Sequence, residues 1–342
     1  MTKQISKVCV IGAGTMGSGI AAQVANAGDA VLLLDIPSKE GGRNAVTEGA
    51  LERIAKSDPP LLMKPENIER IAIGNIEDDL AKVKDCDWIV EAIVERLDIK
   101  RNLYRSLLPH LKEGALVSSN TSTIPIALLM EDMPDALRKR FCITHFFNPV
   151  RYMRLLELVR GEETEDEVID ILARYNDEAL GKGVVRCADT PGFLGNRVGV
   201  FAMQAAIHEA MELGIDIEDA DAIFGRPMGI PKTGAFGLYD LIGVDLMADV
   251  VRSLRSILPQ GDAFHEVGAE NDLINSQIEK GFTGNKGKGG FYAVIDGAAK
   301  ALDLKTGGWR ARKKEVPELA VQAERDGLGV LLADEGPLGE FA

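Results

Sequence analysis

Cysteine, histidine, tryptophan, basic residues and unbroken apolar runs are all scarce in this sequence of 342 residues. Its four cysteines, Cys9, Cys86, Cys142 and Cys187, are scattered, with no CxxC pair and no metal-like spacing. That argues against a disulfide framework and for a reducing, cytoplasmic setting. Four histidines, His110, His145, His208 and His265, confine any imidazole chemistry to four positions. No run of about 18 apolar residues occurs, so no membrane span is expected. Lys and Arg number 39 against 53 Asp and Glu, a net charge of −14. The basic stripe of a nucleic-acid binder is therefore missing. Small anionic ligands remain admissible, because a few local donors hold them against the global field. With 46% apolar and 27% charged residues the chain can bury a sizeable core, and its length suggests two domains.

The N-terminus needs one check, because Lys3 and Lys7 precede an apolar stretch that ends near Ala25-Asn26-Ala27. A signal peptide has that outline, but here glycines at fixed spacing interrupt it and a strand pattern follows. Val8-Cys9-Val10-Ile11 is a short apolar run suited to a strand buried on both faces. Gly12-Ala13-Gly14-Thr15-Met16-Gly17 follows at once, then an alanine-rich helical stretch, then Ala30-Val31-Leu32-Leu33-Leu34, ending at Asp35. Strand, GxGxxG, helix, strand and acid is the order that a dinucleotide-binding fold requires. Gly12 permits the tight turn, Gly14 lets backbone approach a pyrophosphate, and Gly17 allows close packing of helix on strand. Asp35 can accept bonds from ribose hydroxyls and repels a 2′-phosphate, so NAD is favoured over NADP.

Alternation of strand and helix signals continues through strands near 71–74, 88–94, 115–119, 141–145, 155–159 and 183–186. This predicts a Rossmann-type α/β domain over residues 1–188, doubly wound with a mostly parallel sheet. After Thr190-Pro191-Gly192 the strand signals vanish. Thr190 suits an N-cap and Pro191 a first helical position, so a long helix is expected over 193–213. A smaller all-α domain is predicted over 189–292. Residues 293–342 read as a connector-like tail with a small hairpin turning at Gly307-Gly308 and a short helix from Pro317 to Arg325.

His145 closes a strand at its carboxyl end, where open α/β sheets bind ligands. Glu157 lies in the next strand, and a histidine base needs a carboxylate to orient its ring. Ser122 sits just beyond another strand, and Asn196 in the first turn of the long helix, where each could bond a substrate oxygen. Spacing alone leaves His145 open between a structural residue and a general base. His208-Glu209-Ala210-Met211-Glu212 carries Glu where a zinc helix needs its second His, so no metal is expected.

Five motifs then stand in register: Gly12-Ala13-Gly14-Thr15-Met16-Gly17-Ser18-Gly19-Ile20, Val90-Glu91-Ala92-Ile93-Val94-Glu95, Ser119-Asn120-Thr121-Ser122, His145-Phe146-Phe147-Asn148-Pro149 and Asp189-Thr190-Pro191-Gly192-Phe193. In this order, from about residue 5 to 292, the chain resembles the L-3-hydroxyacyl-CoA dehydrogenase family. The resemblance implies oxidation of an L-3-hydroxyacyl-CoA by NAD in fatty-acid β-oxidation. By the same resemblance His145 is the general base, Glu157 its carboxylate partner, and Ser122 and Asn196 the holders of substrate oxygens. Asp35, Glu95, Lys100, Asn148 and Lys286 would line the NAD site, and Lys56 is a candidate for CoA. A homodimer through the helical domain is also implied. Two departures stand out: Gly229-Ile230-Pro231-Lys232-Thr233-Gly234-Ala235-Phe236 is longer than the family's Gly-Pro-Phe run, and Lys286-Gly287-Lys288-Gly289-Gly290-Phe291 varies its closing motif. Together with the tail they resemble bacterial multifunctional β-oxidation proteins, in which an enoyl-CoA hydratase module follows. The alternatives are a dehydrogenase of a free hydroxy acid or sugar acid, and a non-catalytic NAD- or acyl-CoA-binding module of a larger complex.

Overall fold

The computed structural model describes residues 5–342, so Lys3 of the N-terminal check lies outside the described residues. The chain divides into two compact units between Leu194 and Gly195.

The first unit is built on an eight-stranded sheet. Its strands are β1 (Lys7–Ile11), β2 (Ala30–Asp35), β3 (Ile71–Asn75), β4 (Trp88–Glu91), β5 (Leu116–Ser119), β6 (Phe141–Phe146), β7 (Leu155–Arg160) and β8 (Gly183–Ala188). Their order is β3-β2-β1-β4-β5-β6-β7-β8, and only β6 and β7 run antiparallel. The helices are α1 (Thr15–Ala27), α2 (Ala45–Lys56), α3 (Leu97–Leu107), α4 (Ile126–Met130), α5 (Asp135–Arg138) and α6 (Asp166–Arg174).

Period-2 alternation explains the layers. Val8, Val10, Val31, Leu33, Trp88 and Val90 point into one core, with Ile20, Val24, Ile54 and Leu172 of α1, α2 and α6. Cys9, Ile11, Leu32, Leu34 and Ile89 point into the other, with Leu103, Tyr104 and Leu129 of α3 and α4. A sheet covered on both faces needs apolar residues at consecutive positions, which is how these strands read. The doubly wound, mostly parallel sheet expected from the sequence is the observed one.

The second unit contains α7 (Gly195–Glu212), α8 (Ile217–Ile223), α9 (Gly234–Ile242), α10 (Val244–Ile257), α11 (Phe264–Val267) and α12 (Asp272–Glu279). A small antiparallel sheet follows, of β9 (Tyr292–Ile295), β10 (Ala298–Leu302) and β11 (Trp309–Ala311), then α13 (Glu318–Asp326), α14 (Gly329–Leu332) and α15 (Pro337–Phe341).

Two sequence readings are altered. The long helix starts at Gly195, later than expected, because Gly192 and Phe193 take positive φ of 75° and 47° and make a turn. Neither Thr190 nor Pro191 therefore begins it. Residues 293–342, read as a connector-like tail, supply Ala301, Leu302, Ala320, Ala323, Leu331 and Phe341 to the buried core around Phe236 and Phe291. Arg310 also reaches Glu218 on α8, donating at 2.8 Å from Nη1, and Lys313 Nζ donates to Asp219 at 2.7 Å. The tail belongs to the second unit.

Candidate active site

The carboxyl edge of the first unit's sheet gathers most of the residues singled out above. Gly12 leaves β1 with φ of 108°, and a Cβ there would lie 2.4 Å from the Ala92 carbonyl oxygen. At Gly17 a Cβ would lie 1.7 Å from the Gly12 carbonyl oxygen, so only glycine lets α1 approach its own loop. A Cβ at Gly14, by contrast, would meet nothing within 4 Å. The start of α1 has no side-chain cap and no acid in its first turn. Open backbone N–H groups at a helix N-terminus form a ready anion site, and this one fits a dinucleotide's pyrophosphate.

Asp35, closing β2, turns its carboxylate toward this loop, accepting from Ala13 N–H at 2.5 Å and from Ile36 N–H at 2.6 Å. Sequence reading missed Arg53 of α2, whose guanidinium donates to the Ala13 carbonyl at 2.8 Å. Only its helical phase relative to the glycine loop could have signalled it.

His145 and Glu157 face one another because β6 and β7 are antiparallel with these two residues in register. Directly opposed residues of an antiparallel pair share one face of the sheet. His145 Nδ1 lies 2.6 Å from Glu157 Oε2, and Glu157 Oε1 accepts from Leu194 N–H at 2.8 Å. The Glu157 side chain is fully buried and that of His145 is 9% exposed. A carboxylate beside Nδ1 fixes the proton there and leaves Nε2 as an acceptor. Phe147 packs edge-on against the imidazole, 4.5 Å between centroids, and Phe193 at 5.8 Å.

Ser122 is half-buried in the loop after β5, and Asn148 is exposed in the loop after β6. Glu95 lies after β4 and accepts from the Thr121 hydroxyl and from Thr123 at 3.0 Å. Burial pushes its carboxyl up, but the Lys100 ammonium and the threonine hydroxyls outweigh that and hold it below the usual range. Lys100, expected to line the cofactor site, is instead 1% exposed, with its ammonium 2.6 Å from Glu91 and 3.1 Å from Glu95. Asp189 bonds the Ile126 N–H at 2.8 Å and so caps α4; burial pushes its carboxyl up despite that bond. Lys56 is exposed on α2 and paired with Glu52. In the second unit Asn196 is half-buried in the first turn of α7, and Lys286 pairs with Asp245 at 2.7 Å. Among the described residues no group of His, Cys, Asp and Glu is arranged to hold a metal ion. No helix there is long and apolar enough to cross a membrane.

Comparison with known proteins adds to this geometry. A family model described as 3-hydroxyacyl-CoA dehydrogenase, NAD binding domain, matches residues 7–190. One described as 3-hydroxyacyl-CoA dehydrogenase, C-terminal domain, matches residues 192–294. A Rickettsia felis protein named as a fatty acid oxidation complex trifunctional enzyme is 46% identical over 295 residues, covering 86% of this chain and 41% of that protein. A Deinococcus radiodurans protein named as a 3-hydroxyacyl-CoA dehydrogenase is 38% identical over 291 residues, covering 84% of this chain and 83% of that protein. The crystal structure of 3-hydroxybutyryl-CoA dehydrogenase from Escherichia coli K12 superposes with a TM-score of 0.71 at 30% identity, covering 83% of this chain and 58% of that one. The chain thus spans about two fifths of the length of the Rickettsia relative.

Proposed function

The chain belongs to the 3-hydroxyacyl-CoA dehydrogenase family, and from that premise we propose that it oxidises an L-3-hydroxyacyl-CoA to the 3-ketoacyl-CoA with NAD, as a step of fatty-acid oxidation. The observation that carries the reading is the buried His145–Glu157 pair, in which Glu157 faces Nδ1 and leaves Nε2 as the available base.

In this reading His145 Nε2 takes the proton of the substrate's 3-hydroxyl. Glu157 holds the ring in the required tautomer and stabilises the imidazolium that forms. Its carboxylate is itself fixed by the Leu194 N–H, so little reorganisation accompanies the proton transfer. Ser122 and Asn196 hydrogen-bond the substrate's oxygens, and Lys56 meets the CoA. The first turn of α1 carries the cofactor's pyrophosphate, Asp35 and Glu95 its ribose hydroxyls, and Asn148 and Lys286 complete its surroundings. NAD, when bound, accepts the hydride from the alcohol carbon. Phe147 and Phe193 flank the imidazole and exclude water from it.

We further propose that residues 1–188 act as the cofactor domain and the following helical region as the substrate-binding and homodimerising part. The 41% coverage of the Rickettsia relative favours a place within a longer multifunctional protein that also carries a hydratase module. A cytoplasmic setting accords with four free cysteines.

The test is turnover of acetoacetyl-CoA and other 3-ketoacyl-CoA substrates, followed by NADH absorbance. Turnover on thioesters and its collapse in His145→Ala are expected. Full turnover by His145→Ala, or activity on free hydroxy acids but not on their thioesters, would overturn the reading.

A further inference from the structure

At the carboxyl end of β4 the Glu91 carboxylate is fully buried and receives four donors. Oε1 accepts from the Lys100 ammonium at 2.6 Å and from Ile93 N–H at 2.8 Å. Oε2 accepts from the Tyr104 hydroxyl at 2.6 Å and from the Ser119 hydroxyl at 2.6 Å. The opposed register of Glu91 with Ser119 across β4 and β5 brings that serine within reach. Lys100 and Tyr104 come one helical turn apart along α3.

A buried ion pair is a poor device for stability, since desolvating both charges offsets their attraction. A fully satisfied buried polar network instead fixes geometry. What this one fixes lies at the surface above it. Lys100 has a second acid, Glu95, whose other contacts are the Thr121 and Thr123 hydroxyls.

We propose that Glu91 is a positioning residue for the cofactor site: it holds the Lys100 ammonium from below, so that Glu95 keeps its carboxylate directed outward to a cofactor hydroxyl. Glu91 touches neither cofactor nor substrate and acts through Lys100 and Glu95. With Glu91 neutralised, Lys100 becomes a buried cation with one acid left and draws Glu95 inward. The inference rests on the reading of Glu95 as an NAD contact.

Glu91→Gln tests it in the full chain. The amide keeps one acceptor for Lys100, and the Tyr104 and Ser119 hydroxyls can reverse and accept from its NH2. NADH dissociation constants, measured by NADH fluorescence, are expected to rise about tenfold, a loss of one charge-assisted contact. The KM for NADH should rise alike, while the KM for acetoacetyl-CoA stays within about twofold. In the double variant Glu91→Gln/Lys100→Met the route through Lys100 is gone, so its NADH affinity should equal that of Lys100→Met alone. An unchanged NADH affinity in Glu91→Gln, or an equal rise in both KM values, overturns the proposal. So does a double variant that binds NADH more than about threefold more weakly than Lys100→Met alone, since Glu91 would then act by another route than Lys100. If Glu91→Gln does not fold, the double variant decides by the same criterion. If the unaltered chain binds NADH but turns over no thioester, the functional reading fails while the binding comparison still decides this one.

Discussion

Glu157→Gln separates orientation of the base from its mere presence. The substitution is nearly isosteric at a fully buried position, so packing is little disturbed. The amide has one oxygen where the carboxylate had two, and Leu194 N–H and His145 Nδ1 are both at hand to donate. Leu194 N–H donates to Oε1 at 2.8 Å, and His145 Nδ1 lies 2.6 Å from Oε2. If the amide oxygen stays with Leu194, the NH2 faces Nδ1. The imidazole must then accept there and carry its proton on Nε2, the wrong tautomer for a base. If the amide flips, Leu194 N–H loses this partner at a cost of about 1–3 kcal/mol.

The charge is lost in either orientation. Opposite unit charges about 4 Å apart attract by about 4 kcal/mol at an effective dielectric of 20, and the amide dipole recovers part of that. A residual loss of about 3 kcal/mol in stabilising the imidazolium corresponds to roughly 150-fold in rate. The tautomer effect adds to it, and the analogous Asp-to-Asn change in a Ser-His-Asp triad lowers turnover about 10⁴-fold. The expected fall in kcat therefore lies between about 10² and 10⁴, with NADH affinity unchanged because no cofactor contact is altered. Stopped-flow NADH absorbance with acetoacetyl-CoA at saturation reads it directly. A kcat within about threefold of the unaltered enzyme would show that neither the charge nor the tautomer matters, and the assigned pair would lose its role.

Two further outcomes follow from packing and burial. A Cβ at Gly19 on α1 would lie 2.8 Å from Val150 Cγ2, so Gly19→Ala should cost about 1–3 kcal/mol as overpacking, read as a lower urea midpoint. Adding Val150→Ala should recover part of that loss, and no recovery would refute the contact as its cause. In the second unit, burial pushes the Asp221 carboxyl up to about 7 from 3.8, despite bonds from Phe236 N–H, Gly237 N–H and the Tyr292 hydroxyl. The native state then binds more protons than the unfolded one between about pH 4 and 7, so stability from this group is full below that window and is lost as pH rises through it. Against Asp221→Asn, which cannot titrate, the unaltered chain should lose up to about 4 kcal/mol between pH 4 and 8, measured by denaturant unfolding at each pH. A constant difference between the two proteins would refute the raised carboxyl.

Local chemistry made the nucleotide loop legible: glycine at three fixed positions, a strand before, a strand ending in Asp35 after. Strands buried on both faces were legible because their apolar runs lack polar alternation. The meeting of His145 with Glu157 needed only that their two strands be neighbours in register. What stayed hidden depends on partners distant in sequence. The late start of α7 follows from the turn at Gly192 and Phe193, whose end places the Leu194 N–H on Glu157, 37 positions earlier. The run 229–236 reads only as a longer form of the family's motif, yet α9 begins within it, its first turn held by Asp221 from α8. Lys100 is expected, by resemblance, to line the NAD site, and its burial stayed hidden because the acid that buries it lies nine positions back, where a strand pattern gives no reason to expect a charge. The tail's apolar residues are too sparse to announce a core, and β10 together with α13, α14 and α15 brings them to it.

Glu91 and Glu157 are one device used twice. Each is a fully buried carboxylate on an interior strand, in a chain whose net charge is −14 and whose other acids are mostly exposed. In each, one oxygen is held by a backbone N–H, from Ile93 or from Leu194, and the carboxylate in turn holds a basic side chain. Fixing the acid by a backbone N–H, joined at Glu91 by the Tyr104 and Ser119 hydroxyls, removes rotamer freedom at the start of the chain of contacts, so the base at its end inherits the sheet's rigidity. The difference lies in that base. Lys100 lies 2.6 Å from Glu91 and 3.1 Å from Glu95, and in the proposed reading it orients what lies above it. Histidine has a second ring nitrogen, so in the proposed reading the same clamp on Glu157 leaves Nε2 to accept a proton and return it. In the reading proposed above, lysine or histidine at the end of a fixed carboxylate is what separates a support for the cofactor from a base for the substrate.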